Sequence, residues 1–214
     1  EALTEGRLLG IGLSCFVETT GMGRGAYRKR GMVNVPAFDA ASLRVDRQGQ
    51  IEVFVSTPSQ GQGQKTTFAQ LLSEALGVSF ENIRVHLGDT AITPYGSGTF
   101  ASRSMVSGGG ALLKAAGQMQ EKLVQLAAAH WQIDPSQVLY SNGMATQTGH
   151  PENCLTFASL ADLAYTPFQE LPTDLEPGLA VHANYDPPPA VSSASVHMAV
   201  VEVDIHTGEV KVKK

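Results

Sequence analysis

The run Gln60-Gly61-Gln62-Gly63-Gln64 limits what this chain can become more than any other stretch. It separates an alternating apolar segment ending at Val55 from a segment with helical spacing, Phe68, Leu71, Leu72 and Ala75, which stops at Gly77. A strand must therefore become a helix across residues of which Gly61 and Gly63 lack a Cβ. The first amides of a helix have no partners within it and carry partial positive charge, so they suit an anion, phosphate above all. Missing Cβ atoms let a ligand approach the backbone closely. The interleaved glutamines add neutral donors and acceptors, which suit a heteroaromatic or amide-like ligand better than a bare ion. Neither the phosphate-loop spacing G-x-x-x-x-G-K-S/T nor the dinucleotide spacing G-x-G-x-x-G is present. By spacing alone, an ordinary strand-to-helix turn fits equally well.

The same arrangement recurs at Gly96-Ser97-Gly98-Thr99-Phe100-Ala101-Ser102-Arg103-Ser104. This loop feeds a second helix, expected from about Arg103 to Trp131, whose stripe is Leu112, Ala116, Met119, Leu123 and Leu126. Gly108, Gly109 and Gly110 each weaken a helix by about 1 kcal/mol relative to alanine. Either something bulky presses on that face, or the helix begins after them. Two such junctions favour a phosphate-bearing cofactor more than one would.

Elsewhere, residues 7–21 read as a buried strand and 21–32 as a glycine-rich basic loop. Leu43, Val45, Ile51, Val53 and Val55 flank a turn and read as a hairpin, and Ile83, Val85 and Leu87 as a further strand. A hairpin around Asn142-Gly143, a short helix capped by Thr156, proline-punctuated connections at 166–178 and 185–191, and strands around Thr207-Gly208 complete the pattern. Helices and hairpins in this irregular order predict a two-layer α+β fold with a mixed sheet. The expected units are 1–134, bearing the glycine loops, and a smaller 135–214.

Composition narrows the class. With 214 residues, 43% hydrophobic and 16% charged, the chain is globular, and a net charge of −5 without a basic stripe disfavours nucleic acid. No apolar run is long enough to span a membrane. Cys15 and Cys154 sit among apolar neighbours and read as buried thiols of a reducing compartment, with a single disulfide as the alternative. The six histidines lack zinc-site spacing. Glu18 and Asp89, at expected strand ends, read first as turn-capping or hydrogen-bonding groups and second as catalytic acids. The chain opens on Glu1 rather than Met and stops at Lys214 inside an alternating run, so it reads as a piece of something longer.

Residues 10–23 (GIGLSCFVETTGMG), 57–70 (TPSQGQGQKTTFAQ), 87–104 (LGDTAITPYGSGTFASRS) and 197–212 (HMAVVEVDIHTGEVKV), in that order, resemble the molybdopterin-binding large subunit of the xanthine dehydrogenase, aldehyde oxidase and carbon monoxide dehydrogenase family. The resemblance spans nearly the whole chain and implies the family's molybdenum-cofactor-binding fold. It implies that Gln60, Gly61, Gln62 and Gly63 form the family's Q-G-Q-G cofactor loop, with Gln64 where the family usually has histidine. It likewise implies that Thr99, Phe100, Ala101, Ser102, Arg103 and Ser104 wrap the pterin and its phosphates, with Gly96 and Gly98 shaping that turn. The implied cofactor is molybdopterin, in bacteria often as the cytosine dinucleotide. The implied partners are iron–sulfur and FAD subunits or domains and a small-molecule substrate. The implied reaction of the intact protein is hydroxylation of an aldehyde or N-heterocycle, with water as oxygen source.

The family's upstream glycine-rich loop and the catalytic glutamate of its G-x-G-E motif have no match here, so no catalytic residue is assigned. The expected result is an oxidoreductase fragment that alone is inactive and retains no stable molybdenum. A cytoplasmic home is expected, or a periplasmic one where a partner carries the export signal. The alternatives are a non-enzymatic phosphate- or nucleotide-binding module and a structural fragment whose glycines serve packing.

Overall fold

The turn at Asp46–Gly49 closes the alternating runs on either side of it into a hairpin, as their pattern requires. Asp46 Oδ1 accepts from the backbone N–H groups of Gln48 and Gln50 at 2.9 and 2.8 Å, and Gly49 takes a φ of +82°. In the computed structural model, which describes residues 3–166 and 175–214, this hairpin lies inside the larger of two compact units.

The elements run β1 (Arg7–Thr19), α1 (Arg24–Lys29), β2 (Asp39–Val45), β3 (Ile51–Val55), α2 (Gln64–Leu76) and β4 (Ile83–Leu87). A π-helical turn at Met105–Gly109 leads into α3 (Gly110–Trp131). Then come β5 (Val138–Ser141), β6 (Met144–Gln147), β7 (His150–Thr156), α4 (Phe157–Ala164), β8 (Leu179–Tyr185), β9 (Ser192–Asp204) and β10 (Val210–Val212).

The larger unit, residues 21–191, is built on a mixed sheet in the order β4-β3-β2-β8. β3 and β4 are parallel and joined through α2, while β2 is antiparallel to both β3 and β8. Phe68, Leu72 and Leu76 of α2 and Leu112, Met119 and Leu123 of α3 are buried in one core with Leu43, Val53 and Val55 of the sheet. Each such side chain contributes about 1.5–3 kcal/mol through burial. The antiparallel β5-β6-β7 sheet and α4 add Ala145, Phe157 and Leu160 to the same core. The expected α+β class with a mixed sheet is the observed one.

The division expected at 134/135 is not where the chain parts. Tyr140 Oη donates to Leu76 O at 2.7 Å, and a Cβ at Gly77 would lie 2.1 Å from Gly143 N. β8 pairs with β2 from Asp39–Tyr185 to Val45–Leu179. Long-range strand pairing thus ties the later residues into the sheet that carries the earlier ones. The smaller unit instead joins the residues up to Thr20 with Ser192–Lys214. There β9 pairs with β1 along its whole length and with β10 on its other edge.

Residues 7–19 form the expected strand but are not buried: Ile11 is 72%, Leu13 69% and Val17 75% exposed. A continuous apolar run reads as a strand covered on both faces, whereas its own unit is a single three-stranded layer. Cys15 and Cys154 are likewise exposed and free, not the buried thiols expected. The segment read as a loop at 21–32 contains α1, whose Tyr27 is buried against Met22 and Ala37. Its start is held by Asp186, which accepts from the Arg24 backbone N–H at 2.9 Å, a partner too distant in sequence to foresee. Most of the proline-punctuated connection at 166–178 lies outside the described residues. Among the described residues no helix is long and apolar enough to cross a membrane.

Phe68 sits at the join of sheet, α2 and the π-helical turn, with no exposed surface. Phe68→Ala is expected to lower the unfolding free energy by about 3–5 kcal/mol, read from urea denaturation followed by circular dichroism.

Candidate functional site

The first glycine loop leaves β3 at its C-terminal end and enters α2 at Gly63, which occupies the N-cap position with φ +80°. Gly61 has φ +104°, and a Cβ at either glycine would meet nothing within 4 Å. These glycines are therefore required by backbone conformation and leave open space beside the helix start. Glycine at the N-cap offers the first amides of α2 no side-chain acceptor. Gln62 Oε1 accepts from the Gln60 backbone N–H at 2.6 Å, folding the loop on itself.

The second loop meets the first directly. Gln60 Nε2 donates to Thr99 O at 3.3 Å, and Thr99 Oγ1 donates to Pro58 O at 2.5 Å. Ser104 Oγ donates to Thr99 Oγ1 at 2.9 Å. Gly98 takes φ +84°, and Ala101 and Ser102 follow at +49° and +53°. Left-handed non-glycine residues cost of order 1–3 kcal/mol each and persist where their surroundings hold them.

What holds them is a buried charge pair. The Asp39 carboxylate, at the start of β2 and without exposed surface, forms an ion pair with Nη1 of the equally buried Arg103. It also accepts from Ser56 Oγ at 2.8 Å, Ser107 Oγ at 2.6 Å and Gly98 N at 3.2 Å. Arg103 donates further to Gly98 O at 2.8 Å and Ala37 O at 2.7 Å. The guanidinium lies under Phe100, 5.2 Å from the ring centroid, and the Phe100 ring meets Tyr27 edge-on at 6.2 Å. A Cβ at Gly96 would come within 2.5 Å of Asp39 Oδ1 and 2.3 Å of Ser56 Oγ, so only glycine passes there.

The glycines at the head of the second helix also have an explanation. A Cβ at Gly108 would lie 2.6 Å from Thr57 Oγ1, and one at Gly110 2.4 Å from the Tyr185 ring. Bulky neighbours do press on that face. The chain meets them through a π-helical turn, a feature common near functional sites.

Between the loops lies an open cleft of about 430 Å³. Gln60, Gln62, Gln64 and Thr67 line one side, and Thr99, Phe100, Ala101, Ser102, Ser104 and Met105 the other. Of the residues singled out in the sequence, Gly61, Gly63 and Gly98 shape the turns. The Arg103 side chain does not line the cleft: it is sealed inside and holds the loop from beneath. Sequence reasoning passed over Asp39, Ser56, Ser107, Thr67 and Met105. An acid opening an apolar strand was the one available signal for Asp39, and it did not reveal the partner.

A larger cleft of about 680 Å³ lies at the opposite end of the sheet, beside Arg44, Arg47, Arg84, Asp46, Glu52 and Glu81. Opposite charges offset one another there, with Arg84 Nη1 3.7 Å from Glu52, and no glycine loop or helix start enters it. The smaller cleft is the better candidate on chemistry. Asp89 Oδ1 accepts from the Ala91 N–H at 2.9 Å, the turn-capping role. Among the described residues no group of three His, Cys, Asp or Glu side chains is placed to hold a metal ion.

A strand–glycine loop–helix crossover faced by a second glycine loop, with an uncharged cleft between them, is the arrangement of a ligand-binding domain. The chain belongs to the molybdopterin cofactor-binding domain family, whose model matches residues 1–214. It is 35% identical over 214 residues to the nicotine 6-hydroxylase large subunit of Paenarthrobacter nicotinovorans, covering 100% of this chain and 26% of that protein. Carbon monoxide dehydrogenase from Oligotropha carboxidovorans superposes with a TM-score of 0.83 at 31% identity, over 100% of this chain and 26% of that one. Quinoline 2-oxidoreductase from Pseudomonas putida 86 gives 0.78 at 32% identity, over 99% and 27%. The chain thus spans about a quarter of the length of these relatives.

Asp39→Ala leaves the Arg103 charge buried without its counter-ion. It is expected to cost about 3–5 kcal/mol of stability and to expose residues 96–104 to limited proteolysis. Denaturation midpoints and mapped cleavage sites check both effects.

Proposed function

We propose that this chain is the part of a molybdenum hydroxylase large subunit that supplies two jaws of the molybdopterin cleft. The observation that carries this reading is the 430 Å³ cleft, lined on facing sides by the Q-G-Q-G loop and the 99–104 loop. The residues fit the group. Backbone amides at the start of α2, next to Gly61 and Gly63, would hold the phosphate end without side-chain interference. The buried carboxamide of Gln64 has neither polar atom partnered among the described residues, as expected of a site made to receive a polar ligand. Thr99 and Ser104, hydrogen-bonded to each other, present hydroxyls on the facing side.

Bound there, molybdopterin would supply the redox chemistry for hydroxylating an aldehyde or N-heterocycle with oxygen from water. The residues of this chain would bind and orient it, and none of them is assigned as the proton acceptor. In this reading the cofactor carries a pyrophosphate and, in the bacterial form, a cytosine nucleotide. Partner subunits or domains would hold the iron–sulfur clusters and FAD that receive the electrons. The complex is cytoplasmic, or periplasmic where a partner carries the export signal.

The test is cofactor loading of the complete large subunit. Gly63→Leu forces a side chain into the left-handed region and into the open space beside the start of α2. Molybdenum and released pterin per subunit are expected to fall at least tenfold, and unchanged loading contradicts the assignment. The isolated 214-residue chain is expected to purify without stoichiometric molybdenum, because the cleft described here has jaws from only two loops. Metal analysis of the purified chain decides this.

A further inference from the structure

The glutamines of the first loop are not equivalent. Gln60 uses its amide nitrogen on Thr99 O, and Gln62 uses its oxygen on the Gln60 backbone N–H. Those contacts build the loop and bridge it to its neighbour. Gln64, the first residue of α2, is only 4% exposed, and neither Oε1 nor Nε2 has a hydrogen-bond partner among the described residues. It also lines the cleft, beside Thr67 and opposite Met105. Buried polar side chains are partnered in the large majority of cases, and leaving both ends of one carboxamide unmet is the costliest arrangement it can have. This points to a partner that the described residues do not supply.

Its chemistry follows from what is missing. A phosphate oxygen only accepts, so it would satisfy Nε2 and leave Oε1 unmet. A heterocycle presenting a donor beside an acceptor satisfies both, as when glutamine pairs bidentately with the edge of adenine. We infer that Gln64 is the specificity-determining residue for the ring end of the cofactor, donating through Nε2 and accepting through Oε1 against one donor–acceptor ring edge. This rests on the cleft being the molybdopterin site, and it divides the loop by role. Gln62 folds the first loop, Gln60 ties it to the second, the α2 amides take the phosphate, and Gln64 reads the ring. A pterin and a cytosine both carry such an edge.

The test uses the complete large subunit, prepared with cofactor and, from a host blocked in pterin synthesis, without it. Gln64→Met keeps the shape and removes both polar atoms; Gln64→Glu keeps the shape and removes the donor. In the cofactor-free form, Q64M is expected to raise the unfolding midpoint by about 2 °C, because it deletes a carboxamide whose partner is absent. In the loaded form, both variants are expected to retain at least tenfold less cofactor through gel filtration, measured as released pterin. A merely structural glutamine would lower the cofactor-free midpoint when replaced. A cofactor-free midpoint unchanged or lower for Q64M, or retention by either variant within twofold of the parent, overturns the inference. Repeating the retention assay in hosts making only the mononucleotide or the cytosine dinucleotide form separates the two rings. Loss with both forms assigns the pterin edge, and loss with the dinucleotide alone assigns the cytosine. Should Gly63→Leu lose cofactor while the Gln64 variants keep it, this inference fails and the cleft assignment stands. Should all three keep it, the cleft assignment itself fails.

Discussion

The ion pair between Asp39 and Arg103 sets the position of everything on one side of the cleft. Its value is positional. A buried ion pair rarely stabilises a fold more than well-packed apolar residues of equal volume would, because desolvation offsets the attraction. An apolar pair, however, could not take the Gly98 N–H and the hydroxyls of Ser56 and Ser107 on one carboxylate, nor the carbonyls of Ala37 and Gly98 on one guanidinium. Those contacts tie the start of β2, the end of β3, the second loop and the π-helical turn to one point. The loop can then carry consecutive left-handed residues at Ala101 and Ser102 with their surroundings fixed.

The first loop is held by a different principle. It is placed by the crossover that joins parallel β3 and β4 through α2, and its conformation comes from glycine rather than from charge. Gln60 and Thr99 then couple the two loops through contacts at Thr99 O and Pro58 O. One jaw is set by the backbone and the other by a buried carboxylate, so each can be perturbed separately. The aromatic step from Arg103 through Phe100 to Tyr27 carries the same order outward to α1.

Much of this was legible in the sequence where the signal was local. Hairpin alternation at 43–55, the Asn142-Gly143 turn and the Thr156 cap, which accepts from Ser159 N at 3.2 Å, all form as their residues dictate. The two glycine loops were recognisable because left-handed backbone and open space leave glycine as the only economical residue. Partners distant in the chain were not legible. Arg103 in a loop of small polar residues gives no sign of its partner, and only the fold reveals Asp39, 64 positions earlier, beneath it. The 134/135 division failed for the same reason, since β8 returns to pair with β2. Burial of β1 and of the cysteines was misjudged because apolar composition reports strand-forming tendency, while exposure depends on which layer lies opposite.

The central claim is that the 60–64 and 98–104 loops form one binding unit for one ligand. Amide hydrogen exchange on the complete subunit, with and without its cofactor, tests it most directly. The account predicts that amides of 61–66 and of 98–104 gain protection together on loading, while those lining the charged cleft near Arg44 and Glu81 do not change. Protection confined to one loop, or appearing instead at the charged cleft, would contradict it.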